Sequence, residues 1–590
     1  MQKIELVLEQ VGRQVEQDRE KIIRFFSRLT QCETPSIPGD TRSAANLIKD
    51  FLDKQGLCDR EAKTDPVMPN LISVINTCRP GRHLMFNGHL DVMPAGNEPG
   101  WTDSPWSGKI ADGKVWGRGT SDMKAGVTAM LFAYAYLSKM QEQFAGKLSL
   151  TLVSDEETGY ERGTGFLFEE MEQDMIADCV LAGEPSGTNA ISFASKGYMQ
   201  FTVKIQIRGA IAGYSNESQS AIAIAASVIQ DLKKLEKMEV TIPKILFDVL
   251  SDPQQRSSYE ARRGKSEAKL LDKITVDITT IQGGDLLSAI APECSFTVAV
   301  VIPVGADPYL VFQQANKIIS NYPEAELILE GISAWDISDP NHEMVDILQN
   351  TVTMLGREKP EPVPDIAISD CRHWRYRRIP AFWYGADGSR CSAANEYVDI
   401  EELLHLVRTY TLAALQYLSK PQKTACKKQT ALKLSVPFQP ISPEIRYIPS
   451  VYAAYIRGVA DSFKSADLDP VINEPLDTLS IRLTKSGILA GDAAIVTMEY
   501  KNTGSKKQVM ITAAYPVDRN ITSGKDFEVM EFPAIQSAAV MVHRGSKGTA
   551  SSWNELRRFA AGQGYKDKGV YREYYIVSFP NPPEQWTTEL

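Results

Sequence analysis

The sequence predicts an α/β protein with a largely parallel central sheet, interrupted by an inserted α+β subdomain and followed by a separate α+β module. Three observations predict it. Over residues 1–195, helical patterns alternate with short apolar runs, the pattern of parallel strands joined by helices. From 196 to 330 the texture changes to alternating, half-exposed strands around a long helical stretch. Residues 419–443 are rich in Lys and Pro and lack periodicity, which suits a linker before the last module, 444–590.

Taken in order, the first 22 residues, MQKIELVLEQVGRQVEQDREKI, read as an amphipathic helix and not as a signal peptide, because no apolar central region is present. NLIKDFLDKQG is helical, HLMFNGHLDV is a strand, KAGVTAMLFAYAYLSKM is a long buried helix, and KLSLTLVSDEE and CVLAGEPSG each begin as strands. In the inserted subdomain MQFTVKIQIRG and SFTVAVVIPV alternate like half-exposed strands, and SQSAIAIAASVIQDLKKLEKM is a helix. Residues 331–418 return to the first texture and end in the helix EELLHLVRTYTLAALQYL. In the last module IPSVYAAYIRG (448–458) and FPAIQSAAVMVHRG (532–545) echo one another, which suggests two similar halves.

A chain of 590 residues is too long for one core. Its net charge of −10 argues against a nucleic-acid or anionic-membrane partner. No apolar run approaches the roughly 18 residues of a membrane span. The eight Cys have no CxxC spacing, so neither a disulfide framework nor a zinc knuckle is expected, and a reducing cytoplasm is the expected location.

Chemistry-bearing residues collect at predicted strand ends. FNGHLDV offers His89 and Asp91, VSDEETG offers Asp155, Glu156 and Glu157, LAGEPSG offers Glu184, and GRGTSDMKAG places Asp122 at a helix start. In open α/β sheets ligands gather beyond the carboxyl ends of strands, so four loops would bring His89, Asp122, Glu157 and Glu184 to one crevice. Imidazole mixed with carboxylates suits zinc, cobalt or manganese better than calcium. One carboxylate can bridge two ions. Asp91 is expected to orient the His89 ring through a hydrogen bond. Of the adjacent pair, Glu157 would bind metal while Glu156 takes a proton from water.

Together HLDVMP, GRGTSDMKAG, SDEETG and AGEP resemble the motif series of the zinc exopeptidase and aminoacylase family, which includes succinyl-diaminopimelate desuccinylase, acetylornithine deacetylase and glutamate carboxypeptidase. The resemblance covers about residues 15–418. It implies a phosphorylase/hydrolase-like catalytic domain (1–195 and 331–418) with an inserted lid (196–330) that often forms a homodimer. It also implies one or two zinc ions, with His89 and Glu184 on one, Glu157 on the other, Asp122 between them and Glu156 as general base. The implied reaction is hydrolysis of an amide or peptide bond in a small-molecule substrate.

Two positions depart from the family's pattern. Where the family places the last metal-ligating His, this chain has Ser392, a poor zinc ligand; Cys391 and His373 are the candidate replacements. Where the family has a substrate-contacting His in the lid, this chain has Tyr214, which donates a hydrogen bond but carries no positive charge at neutral pH. Arg372, in SDCR, is a candidate for holding a substrate carboxylate, with a surface salt bridge as the equal alternative.

In the last module, YREYYIVSF alternates aromatic and charged positions, so that Glu573 either points inward among Tyr571 and Tyr575 or pairs with Arg572 or Arg557 on the surface. A carboxylate among aromatic rings would attract cationic or planar ligands. The His543-Arg544-Gly545 segment, the run from Gly564 to Tyr575 and the terminal TTEL resemble the gyrase-inhibitor-like (GyrI-like) effector-binding domain. That resemblance implies two pseudo-symmetric halves around a small-molecule pocket with Glu573 at its centre. Three readings stay open from sequence: a working hydrolase, a degenerate hydrolase that binds or sequesters a small molecule, and a hydrolase of electrophilic natural products whose chemistry lies in the C-terminal pocket.

Overall fold

The structure is a computed structural model. It describes residues 2–36, 39–63, 65–96, 100–158, 162–212, 218–251, 268–284, 289–421, 443–448, 450–463, 465–486, 493–503, 506–517, 521–525, 527–544, 549–566, 570–577 and 587–590, with a few isolated positions between them. The chain divides into two compact units. One comprises 1–195, 248–268 and 336–434; the other comprises 196–247, 269–335 and 435–590.

The first unit is built on a nine-stranded sheet. Its order is Asp59–Ala62, Asn70–Asn76, Gly146–Val153, Arg82–His89, Cys179–Ala182, Ala381–Trp383, Ala190–Ser195 and Asp336–Ile337, with Glu361–Asp365 also paired to Ala190–Ser195. The central strands are parallel: Arg82–His89 runs parallel to both Gly146–Val153 and Cys179–Ala182, and Ala381–Trp383 parallel to the latter. Asp59–Ala62, Asn70–Asn76 and Asp336–Ile337 pair antiparallel while Glu361–Asp365 pairs parallel, so the sheet is mixed rather than uniformly parallel. The parallel strands read as continuous apolar runs because they are covered on both faces. Their shared direction puts His89, the 154–157 loop and Glu184 at the same end of the sheet.

The helix Ala125–Ser138 is buried on every side from Ala125 to Leu137, as its unbroken apolar sequence requires. Gly126 lets it seat against the strand end before Glu184: a Cβ there would lie 2.1 Å from the Gly183 carbonyl oxygen. The glycines of KAG and AGEP therefore serve the close approach of two site-bearing segments. At the N-terminus the expected helix is two, Gln2–Gln17 and Arg19–Gln31. They break at Asp18, whose carboxylate accepts from Gln14 and Lys21.

In the second unit, a four-stranded antiparallel sheet has the order Thr275–Gly283, Glu293–Ile302, Gly197–Gln206 and Ala325–Ser333. Its buried residues pack on Ala225 and Val228 of helix Ala221–Leu232 and on Tyr309 and Phe312 of helix Pro308–Ile319. Strand Ala325–Ser333 stays paired in this sheet to Ser333, so the chain returns to the first unit at Asp336.

The C-terminal module has a seven-stranded sheet: Glu528–Phe532, Val451–Ala460, Lys506–Pro516, Ala494–Thr503, Val570–Val577, Thr587–Glu589 and Val542–Arg544. Beyond the flanking first strand, the order is a palindrome. Each half runs outer strand, helix, inner strand, middle strand, with helices Ser465–Lys485 and Thr549–Gly562 in equivalent places. The two stretches that echo in sequence fall on equivalent strands, Val451–Ala460 and the pair Ile535–Val540 and Val542–Arg544. The expected linker lies outside the described residues from 422 to 442.

Candidate functional site

Four segments of the first unit converge. His89 is the last residue of its strand and is 1% exposed. Its Nε2 lies 3.1 Å from Asp122 Oδ1 and 3.7 Å from Glu184 Oε2. Donor atoms of His89, Asp122 and Glu184 all lie within 4.8 Å of one another, the spacing at which one cation could touch all three. Asp122 stands in the turn Thr120–Lys124 ahead of the buried helix. The Asp122–Met123 peptide bond is cis.

Asp91 works differently from the sequence expectation. The His89 Nδ1 partner is the Asp91 backbone carbonyl at 2.8 Å, while the Asp91 carboxylate is 3.7 Å from that nitrogen. That carboxylate instead accepts the backbone N–H groups of Glu156 at 3.3 Å and Glu157 at 3.1 Å. The carbonyl fixes the ring so that Nε2 faces the carboxylates, and the carboxylate fixes the loop that carries the two glutamates.

The electrostatics are those of crowded buried acids. Burial pushes the Glu156 carboxyl well above its ordinary value, with the Glu184 charge adding to it. Burial, then Asp122, does the same to Glu157. Burial raises Glu184 to about 7 and Asp91 to about 6, in each case against the pull of His89. For His89 itself, burial disfavours charge, but Glu184 and Asp122 outweigh it and hold its pKa well above normal. Carboxylates packed this closely repel one another and retain protons unless a positive charge sits among them. The donor set, the oriented imidazole and the crowding all fit a divalent cation.

The remaining sequence candidates separate clearly. Cys391 is half-buried, its thiol is pushed well up by burial and by the charges of Asp122, Glu396, Glu184 and Glu157, and it is not among the donors that meet at His89. Ser392 is exposed, with φ of 58°, and its backbone carbonyl is bound by Arg118. His373 is not part of the cation set among the described residues. It is buried, stacked on Phe168 with ring centroids 6.3 Å apart, and its pKa is driven well down by burial and then by Arg372 and Arg377. Arg372 is 6% exposed and lies among Asp370, Asp155 and Asp336, so its guanidinium balances buried acids instead of waiting at a surface. Tyr214 lies outside the described residues.

Sequence reasoning missed two groups. Asp370 is fully buried, accepts from the Thr164 hydroxyl at 2.8 Å and adds its charge to that felt by Glu156. Glu396, next to Asn395 in the closing stretch, is buried against Arg118.

In the C-terminal module Glu573 is 6% exposed on an inner strand, paired with Val496 of the other half. Trp553 Nε1 donates to Glu573 Oε1 at 2.9 Å and the Tyr575 hydroxyl to Oε2 at 2.6 Å. Tyr571 packs edge-on to Trp553, ring centroids 5.3 Å apart, and Arg557 sits over the Tyr571 ring at 4.7 Å. Trp553 was not read from sequence. Gly545 and residues 567–569, part of the resemblance, lie outside the described residues.

A mixed sheet carrying a His–Asp–Glu cation set at the carboxyl ends of its parallel strands defines a metallohydrolase class. The comparisons give the family: the model described as peptidase family M20/M25/M40 matches residues 85–416, and the chain belongs to that family. Succinyl-diaminopimelate desuccinylase 2 of Ruegeria sp. (strain TM1040) is 25% identical over 413 residues, covering 68% of this chain and 96% of that protein. A succinyl-diaminopimelate desuccinylase of Cereibacter sphaeroides (strain ATCC 17025 / ATH 2.4.3) is 28% identical over 409 residues, 67% of this chain and 99% of that one. Among solved structures, human carnosine dipeptidase 1 aligns with a TM-score of 0.59 at 15% identity, over 70% of this chain and 99% of that one. A metallo-carboxypeptidase of the M20 family from Sulfolobus solfataricus aligns at 0.57 and 18% identity, over 68% and 98%. No helix among the described residues is long and apolar enough to cross a membrane.

Proposed function

We propose that this chain is a metal-dependent hydrolase that cleaves the amide bond of an N-acyl amino acid or peptide-like substrate. The observation that carries the reading is the meeting of His89, Asp122 and Glu184 donors within 4.8 Å, beside the half-buried Glu156. His89, Asp122 and Glu184 would hold one ion, and Asp122 with Glu157 the second, zinc being the leading candidate and cobalt or manganese alternatives. Cys391 is the donor proposed to complete that second site. A divalent ion there supplies Lewis-acid polarisation of the scissile carbonyl and lowers the pKa of an attacking water toward about 7. Glu156, beside the ion-binding set, takes a proton as the water oxygen attacks the amide carbon. It then hands that proton to the leaving nitrogen as the C–N bond breaks. Desuccinylase relatives and dipeptidase-like neighbours support this substrate class.

The proposal extends to a GyrI-like C-terminal module that binds a planar or cationic small molecule near Glu573, supported by the palindromic sheet and the aromatic surround of that carboxylate. A cytoplasmic location and a homodimer formed through the lid belong to the same proposal. One observation favours a second reading, a small-molecule-binding relative with little turnover: Ser392 is exposed and offers no second imidazole donor. Metal analysis of the purified full chain, with a screen of N-acyl amino acids and dipeptides, separates the two. Two bound ions and turnover support hydrolysis. One ion or none, without turnover, supports binding.

A further inference from the structure

We infer that Arg118 and Glu396 form a buried clamp that sets the spacing between the Asp122 turn and the Cys391 loop, making both of them positioning residues of the metal centre. The inference rests on the metal-centre reading above. Glu396 is 0% exposed and Arg118 3%. Arg118 Nη1 donates to Glu396 Oε2 at 2.7 Å. The same carboxylate accepts the backbone N–H of Gly119 on Oε2 at 3.1 Å and that of Ser121 on Oε1 at 2.8 Å. Those two amides belong to the three residues directly ahead of Asp122, so the Glu396 carboxylate holds the turn that presents it.

Arg118 reaches the other way. Its Nη2 donates to the Ser392 carbonyl at 3.0 Å and its Nη1 to the Ala393 carbonyl at 3.3 Å, the two carbonyls that follow Cys391. Two more bonds tie the segments together: Gly117 N–H to the Glu396 carbonyl at 2.9 Å, and the Ser121 hydroxyl to the Tyr397 carbonyl at 3.3 Å. Trp101 lies against the guanidinium, 5.2 Å from ring centroid to Cζ. Ser392 and Asn395 sit at φ of 58° and 57°, a region costly for side-chain-bearing residues that persists where the surroundings over-determine it. A buried ion pair is a poor way to add stability, since apolar residues of the same volume often do as well. Here nearly every further bond of the pair goes to backbone of the two donor-bearing loops, which is the geometry of alignment.

The test is a cobalt(II) titration of metal-free, full-length protein, followed by visible absorption, for the wild type and for Glu396→Gln and Arg118→Lys. The first variant keeps the volume and removes the charge. The second keeps a cation and removes the planar fork that spans Glu396 and two carbonyls. Both are expected to weaken cobalt uptake about 10–100-fold and to shift the absorption bands, while metal-free unfolding remains cooperative. Variants whose isotherms and spectra superimpose on those of the wild type overturn the clamp. Should Glu396→Gln not fold, Arg118→Lys decides on the same criteria. A wild-type chain that takes up no cobalt overturns the metal centre, and the clamp with it; wild-type uptake with unchanged variants overturns the clamp alone.

Discussion

The cluster around His89 and the surroundings of Glu573 both hold carboxylates away from solvent, yet they satisfy them by different means. In the cleft, Glu156, Glu157, Glu184 and Asp122 face one another around a single imidazole, and burial with mutual repulsion drives the three glutamates upward. At Glu573 each carboxylate oxygen has a neutral donor of its own, from Trp553 and Tyr575. A buried acid with enough donors is structurally complete. Around His89 the described donors are fewer, the imidazole and the Met93 N–H to Glu157 Oε1 at 3.0 Å, and acids so crowded are an arrangement waiting for positive charge. The same residue type thus marks a cation site in one unit and a recognition or packing site in the other.

The largest expected effect breaks that comparison outright. Glu156→Gln should lower kcat for amide hydrolysis by about 10²–10⁴-fold with metal content unchanged, whereas Glu573→Gln should leave kcat intact. Loss of turnover in Glu573→Gln instead would move the chemistry to the C-terminal module.

The pH response sharpens the electrostatic side. Glu184 is raised from its ordinary 4.5 to about 7, so between those values the folded, metal-free chain holds a proton that the unfolded chain releases. Its contribution to stability is therefore present at low pH and lost as pH rises through about 7. Cation uptake, which displaces that proton, should tighten over the same window by up to about tenfold per pH unit. His83, held neutral by burial with a pKa of about 4 against an ordinary 6.5, acts in the opposite sense, losing stability as pH falls. Comparison with Glu184→Gln isolates the carboxylate: thermal unfolding of the two metal-free proteins should converge at low pH and diverge toward neutrality. Parallel curves at every pH would refute the assignment.

Cys391→Ala should leave the protein with one bound ion fewer by metal analysis, and an unchanged stoichiometry would remove the thiol from the donor set. Trp553→Phe deletes the indole donor to Glu573 Oε1 and should cost about 1–3 kcal/mol of C-terminal module stability in urea unfolding, with kcat unaffected. Ser392→Ala, at an exposed side chain, should change stability by no more than about 0.5 kcal/mol and leave cobalt uptake as it is. A large effect there would make the hydroxyl a ligand after all.

How much was legible in advance varies by residue. His89, Asp122 and Glu184 could be read because each follows a recognisable strand or opens a helix, and parallel strands leave their carboxyl ends on one side. The Asp91 role could not, since carbonyl and carboxylate of one residue compete for the same imidazole and only the backbone path selects between them. The surroundings of His373 and Arg372 could not be read either: in their helix, Cys371–Tyr376, His373 stacks on Phe168 and Arg372 lies among Asp370, Asp155 and Asp336. Glu396 bonds amides 275 and 277 positions away, and no local pattern announces such a partner.

By itself the sequence determined which segments become most of the strands and helices, because these follow from periodicity and short-range backbone preference. Tertiary structure alone decided that the Asp91 carbonyl holds the imidazole, that Glu396 grips the turn before Asp122, and that Glu573 is closed off by Trp553 and Tyr575. Those outcomes depend on distances of a few ångströms between residues far apart along the chain, and only packing sets such distances.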